Sequence, residues 1–110
     1  VGLLANNFRN AKLDLTTTNA TVLYTAPSAT TAVVKSILVS EDSGNADTIT
    51  LTITDSSSAV FSLFKVKAVS ANTTVELLTS PLVVEEKEIL KATAATANRL
   101  HVVASLLEVS

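Results

Sequence analysis

The chain contains no cysteine, methionine or tryptophan, and its 110 residues include only two glycines and two prolines. Without thiols there is no disulfide, no thiolate nucleophile and no zinc-finger ligand set. Gly2 and Gly44 are too far apart for a phosphate-cradling loop, which needs clustered glycines. Aromatic residues make up 4% of the chain, namely Phe8, Tyr24, Phe61 and Phe64. That is too few for the stacking platforms that hold sugars or single-stranded nucleic acid. Charge of one sign is also lacking, since 8 basic and 10 acidic side chains leave a formal net charge of -2. No basic face is therefore expected for phosphate backbones or anionic lipid, and neither nucleic acid nor membrane is an expected partner. Apolar runs stay far below the ~20 residues needed to span a bilayer as a helix. The start, Val1-Gly2-Leu3-Leu4-Ala5-Asn6-Asn7, lacks the basic opening and apolar centre of a secretory signal, so synthesis in the cytoplasm without export is the expectation.

Alternation is what the chain has in abundance. In Thr48-Ile49-Thr50-Leu51-Thr52-Ile53-Thr54 every threonine falls on one side of an extended backbone and every aliphatic on the other. This period of two predicts a half-buried antiparallel strand and does not fit a helix. Turn-forming clusters recur at 17–19, 26–28, 42–45, 56–58, 71–72, 85–87 and 96–98. They divide the chain into predicted strands at 11–16, 21–25, 32–40, 48–55, 59–68, 73–78, 88–94 and 100–109. Helix competes only at 90–98, where Lys91-Ala92-Thr93-Ala94-Ala95 has helical propensity; alternating threonine and β-branched flanks favour strand. The expectation is an all-β chain of about eight strands, an antiparallel β-sandwich of jelly-roll or Greek-key type. Residues 1–10, with Leu3, Leu4 and Phe8 among asparagines, show no period and are expected to form an arm ahead of a single domain at 11–110.

Chemistry is sparse. The single imidazole, His101, lies in an alternating strand with no nucleophile elbow nearby, so a surface or structural role is expected, and no enzyme. Glu41-Asp42-Ser43-Gly44-Asn45-Ala46-Asp47 is rich in oxygen ligands but misses the calcium-loop spacing and reads as a hairpin turn. Glu85, Glu86 and Glu88 read as a solvated corner. Lys35, Lys65 and Lys67 form a basic patch if their strands are neighbours, and otherwise guard strand edges. No catalytic residue, metal site or cofactor is expected.

Several strands carry aliphatics on both faces. Strict alternation puts Val33, Lys35, Ile37 and Val39 opposite Val34 and Leu38, sets Val60, Phe64 and Val66 against Phe61 and Leu63, and sets Leu100, Val102, Ala104 and Leu106 against Val103, Leu107 and Val109. Two accounts fit. Either β-bulges shift the register and loops cover the outer side, or the second faces are buried against other subunits. Burying ~400 Å² of apolar surface in such a contact would contribute on the order of 10 kcal/mol before association entropy. The candidate interface residues are Leu3, Leu4, Phe8, Val33, Ile37, Val39, Phe64 and Val66.

Leu23-Tyr24-Thr25-Ala26-Pro27, the strand Thr31 to Val39, the threonine-rich segment and the ending Asn98-Arg99-Leu100-His101-Val102-Val103-Ala104-Ser105-Leu106 together resemble small virion proteins of tailed bacteriophages. The resemblance covers most of the chain after Val22 and carries no catalytic or binding motif. It implies a β-sandwich that cements or decorates a capsid, with the major capsid protein, other virion proteins and sister copies as partners and the virion as location. A neck, tail or baseplate adaptor is the alternative of the same kind. From another class, a β-sandwich adhesin or glycan-binding module would use the threonine-lined sheet.

Overall fold

A computed structural model describes residues 5–110. The alternation is realised over 48–52, where Ile49 and Leu51 are fully buried and Thr48, Thr50 and Thr52 lie on the opposite face; it lapses at the end, with Ile53 half-buried and Thr54 buried. Nine strands form, β1 (Asn6–Asp14), β2 (Thr21–Thr25), β3 (Thr31–Glu41), β4 (Asp47–Thr54), β5 (Val60–Val69), β6 (Thr74–Glu76), β7 (Leu82–Val84), β8 (Ile89–Ala94) and β9 (Leu100–Val109). Helix is absent among the described residues, and the ambiguous segment at 90–98 is strand followed by turn.

The strands make two antiparallel sheets. Sheet A has the order β1-β9-β3-β6, with β7 also on β3; sheet B has the order β2-β8-β4-β5. This is the jelly-roll arrangement, in which connections cross between sheets except at the β4–β5 hairpin and the β6–β7 link, β6 and β7 being two short pieces laid along the same neighbour. The segment 41–47, expected as a hairpin turn, is instead a corner that carries the chain from sheet A to sheet B, because β3 and β4 do not pair. β1 begins at Asn6, ahead of the expected Ala11, so 6–10 of the expected arm are in register with β9. β7 was not anticipated, since three residues offer too little alternation to recognise.

Between the sheets lies one apolar core that includes Leu15, Leu23, Val34, Ile37, Val39, Ile49, Leu51, Val69, Leu90, Leu100 and Val102. Scarcity of glycine is offset by carboxylates that cap the corners. Glu41, 1% exposed, accepts from the Ser43, Gly44 and Asn72 N–H groups at 2.9, 3.1 and 3.1 Å and from the Ser43 hydroxyl. One side chain thereby fixes the β3–β4 corner and the β5–β6 turn. Burial alone would raise its pKa, but the hydrogen bonds from Ser43, Asn72 and Gly44 prevail and hold it at about 2. Asp55 closes the hairpin by accepting from Ser57 and Ala59 N–H, both at 2.9 Å.

Candidate functional site: the outer face of sheet A

The deciding local feature is a bulge in β3. Val34 pairs with Leu106, and Ser36 with Ser105, so Lys35 is an extra residue that reverses the side-chain facing beyond it. Glu76 braces this point. Its carboxylate accepts from the Ser36 hydroxyl, from Ile37 N–H at 2.8 Å and from Leu78 N–H at 3.2 Å. Burial opposes the charge, but these bonds lower the Glu76 pKa below the ordinary carboxylate value.

The bulge corrects part of the expected interface. Ile37 and Val39 are fully buried core residues and cannot meet a partner in the folded chain, whereas Val33, on the near side of Lys35, faces outward. Simple alternation had put all three on one face. Phe8 is 81% exposed on β1, and Val66 is 59% exposed on β5. Phe64 is half-buried and packs on the core margin. With Leu63, Leu77, Leu78, Pro81 and Leu82 it lines an open-edge groove of about 280 Å³ between β5 and the β6–β7 segment. Leu3 and Leu4 lie outside the described residues.

Register brings together what the sequence scattered. Phe8 pairs with Leu107, Leu107 with Val33, and Val33 with Val83, so four strands contribute one apolar row straight across the outer face of sheet A. Leu107 and Val33 are half-buried by their neighbours, and Val83 is 51% exposed. Beyond a polar row of Asn10, Ser105 and Ser36, a second row runs Lys12, Val103, Leu38 and Glu76, apolar in its middle. Leu107 and Val83 were absent from the candidates because their relation to Phe8 exists only once strand order is known.

Sheet B is polar at its centre, with exposed Val22, Val60, Phe61 and Val66 confined to its flanking strands β2 and β5. Its outer face carries Thr48, Thr50, Thr52, Thr93 and Lys91, with Ser62 across from Thr52. Lys35 lies in sheet A and Lys65 and Lys67 in sheet B, so they make no common patch. The two on β5 sit on an edge strand, where lysine discourages pairing.

No protein-family model matches the chain, and no curated protein matches it. The fold does have likenesses. A solved structure described as Bacillus endospore appendages, a novel family of disulfide-linked pili, is similar over 96% of this chain and 86% of that one, with a TM-score of 0.57 at 9% identity. A structure of infectious bursal disease virus, Gt strain, is similar over 97% of this chain but 32% of the other, with a TM-score of 0.47 at 10% identity. At such identities the likeness is one of fold.

The polar groups elsewhere serve structure. His101 places Nε2 3.4 Å from Asp14 and Nδ1 3.6 Å from Asp42, so both ring nitrogens face carboxylates and no hydroxyl is held for activation. In the cleft between β1 and β2 the Tyr24 hydroxyl donates to Glu108 at 2.5 Å, and Arg9 approaches the same carboxylate at 3.4 Å. Burial, then the hydrogen bond and charge of Glu108, push the Tyr24 pKa well above the phenol value. The phenol stays neutral and serves as a donor that ties β2 to β9. The charged corner at 85–88 is likewise internal bracing: Glu88 accepts from Glu85 N–H at 2.8 Å, and Glu86 accepts from Ala29 N–H.

Proposed function

We propose that this chain is a non-enzymatic structural subunit of a larger protein assembly, docking on other protein through the outer face of sheet A. The observation that carries the reading is the four-strand apolar row of Phe8, Leu107, Val33 and Val83. Burying roughly 300 Å² there would contribute about 7 kcal/mol before association costs, enough for contacts that become strong by repetition. The chain has no cysteine, so such docking involves no disulfide from these residues.

Two settings have support. The residue-level resemblance favours a cement or decoration protein on a tailed-bacteriophage capsid, or an adaptor in the same particle. The fold likeness to a pilus structure favours a filament subunit. Labelling with an antibody to this chain separates them, since decoration marks whole heads, an adaptor marks one vertex or the tail, and a filament subunit marks fibres.

The general reading is tested with Val33→Lys, which puts a charge in the middle of the row without touching the core. Light scattering on the protein and its co-sedimentation with particles or fibres should both fall at least about tenfold. A wild-type chain that stays monomeric at high concentration and binds no particle, or a Val33→Lys variant that assembles normally, would overturn it.

A further inference from the structure

A sheet edge is a row of unpaired N–H and C=O groups, and folded proteins blunt such edges by shortness, bulges, proline or lysine. Three of the four edges in this sandwich are blunted. β6 and β7 are three residues each, separated by a stretch that contains Pro81. β2 has five residues and a register shift between Val22 and Tyr24. β5 is longer, but it has two register shifts against β4, Lys65 and Lys67 in sequence, and Val66 at φ 52°.

β1 has only one of these, the single lysine Lys12. Its nine residues run from Asn6↔Val109 to Asp14↔His101 without a shift. Arg9, one of its two cations, is turned toward Glu108 at the sandwich margin. The hydrogen-bond phase of this edge can be read directly. Ala5 and Ser110 exchange both backbone bonds, at 3.1 and 3.0 Å, and Leu15 N–H reaches Leu100 C=O at 3.1 Å. Pairs alternate in an antiparallel ladder, so the odd residues of β1 bond to β9. The N–H and C=O of Asn6, Phe8, Asn10, Lys12 and Asp14 therefore point off the sheet, with no strand beyond them among the described residues.

We infer that β1 is the self-pairing edge of this chain: two copies join antiparallel, β1 to β1, about a two-fold axis at Asn10. This deepens the assembly reading above and rests on it in naming a second copy as the partner. Three features favour that occupant and that register. Centring on Asn10 overlaps the whole strand and matches edge-facing residues with edge-facing residues, giving about eight backbone hydrogen bonds, since Asp14 C=O already accepts from Thr16 N–H. It sets Asn6 across from Asp14 of the second copy and Phe8 across from Lys12, twice by symmetry, an aromatic–cation pairing with no like charges opposed. A register centred on Lys12 would oppose two lysines, and one centred on Phe8 would forfeit nearly half the overlap. Pairing also makes the two sheets A one continuous sheet, so the apolar rows of both copies lie on one surface. An isologous contact of this kind closes on itself and yields a dimer as building unit.

The test uses the full chain in sedimentation velocity over a range of concentrations, with amide exchange by NMR. Wild type should dimerise, and the edge-facing amides of Phe8, Asn10 and Lys12 should slow with concentration. Asn10→Pro removes an edge-facing N–H and no bond to β9, and should weaken the dimer on the order of a hundredfold. Phe8→Lys opposes lysines across the seam and should weaken it about tenfold, and adding Lys12→Glu should restore it, which a merely misfolded variant would not show. Val33→Lys should leave the β1 amides protected, so loss of the face contact and loss of the edge contact are distinguishable. A monomeric wild type, fast edge amides in a dimer, or no rescue in the double variant would overturn the inference.

Discussion

The outer faces of the two sheets share a width of four strands and the same β-branched habit, yet they present different chemistry at their centres. At the centre of sheet B, β4 and β8 send Ile49, Leu51, Leu90 and Ala92 inward and Thr48, Thr50, Thr52 and Thr93 outward, while Val22, Val60, Phe61 and Val66 are exposed on the flanking strands β2 and β5. Sheet A sends aliphatics both ways, and its outer row of Phe8, Leu107, Val33 and Val83 is continuous because β1, β9, β3 and β7 are in register at that level. Both inner faces fill the same core. The difference teaches that threonine suffices to build the centre of an outer sheet face here, and the docking proposed above accounts for the aliphatics of sheet A.

The widest break in the comparison comes from making sheet A resemble sheet B. Val33→Thr, Val83→Thr and Leu107→Thr combined keep extended propensity while replacing the row with hydroxyls. Association measured by sedimentation should fall on the order of a hundredfold, with the thermal midpoint within a few degrees of wild type. The same number of substitutions on sheet B, Thr48→Ser, Thr52→Ser and Thr93→Ser, should leave association unchanged. Equal losses from both sets would remove the distinction between the faces.

Next in size is the corner that joins them. Glu41 has a pKa of about 2 when folded and an ordinary value of 4.5. A lowered folded pKa means stability that is present above 4.5 and lost as pH falls through 2. Thermal melts should therefore show a decline between pH 4.5 and 2, shallower in Glu41→Gln, which should also have a lower midpoint at pH 7. An unchanged acid limb would show that Glu41 does not set it.

Smaller still is the effect at the β3 bulge. Glu76→Ala leaves Ile37 N–H and the Ser36 hydroxyl without their acceptor. The site is open to water, so the cost in urea denaturation should be about 1 kcal/mol. Because the bulge decides which residues face outward, association should weaken along with stability in this variant, whereas destabilisation at sheet B should not affect it.

How far the sequence discloses this arrangement depends on whether information is local. The strand over 48–54 was legible because alternation repeats within the segment, and a sandwich of jelly-roll or Greek-key type followed from turn spacing; strand order decides between the two. The facing of Ile37 and Val39 was not legible. It hinges on the single inserted Lys35, and Glu76, 40 positions from Ser36, supplies the brace at the insertion. The row itself joins residue 8 to 107, 33 and 83, a relation held in strand order. Residues 6–10 looked irregular because asparagine alternates poorly with Phe8 and Arg9, while their pairing comes from β9.

The smallest effect sits on sheet B at Val66. A β-branched residue at φ 52° is strained, and its N–H leaves the ladder to donate to the Thr50 hydroxyl at 3.0 Å. Thr50 thus does more than cover the polar face, since it is the acceptor for an edge strand displaced by its bulge. Val66→Asn suits the left-handed conformation and should stabilise the fold by up to about 1 kcal/mol in urea denaturation. Thr50→Val should cost about 0.5 to 1 kcal/mol, and because Val66 N–H is the shared group the cost should persist in the Val66→Asn background. If Thr50→Val proves neutral in both backgrounds, water replaces the hydroxyl at no cost and sheet B is a uniformly passive surface, which would sharpen its contrast with sheet A further.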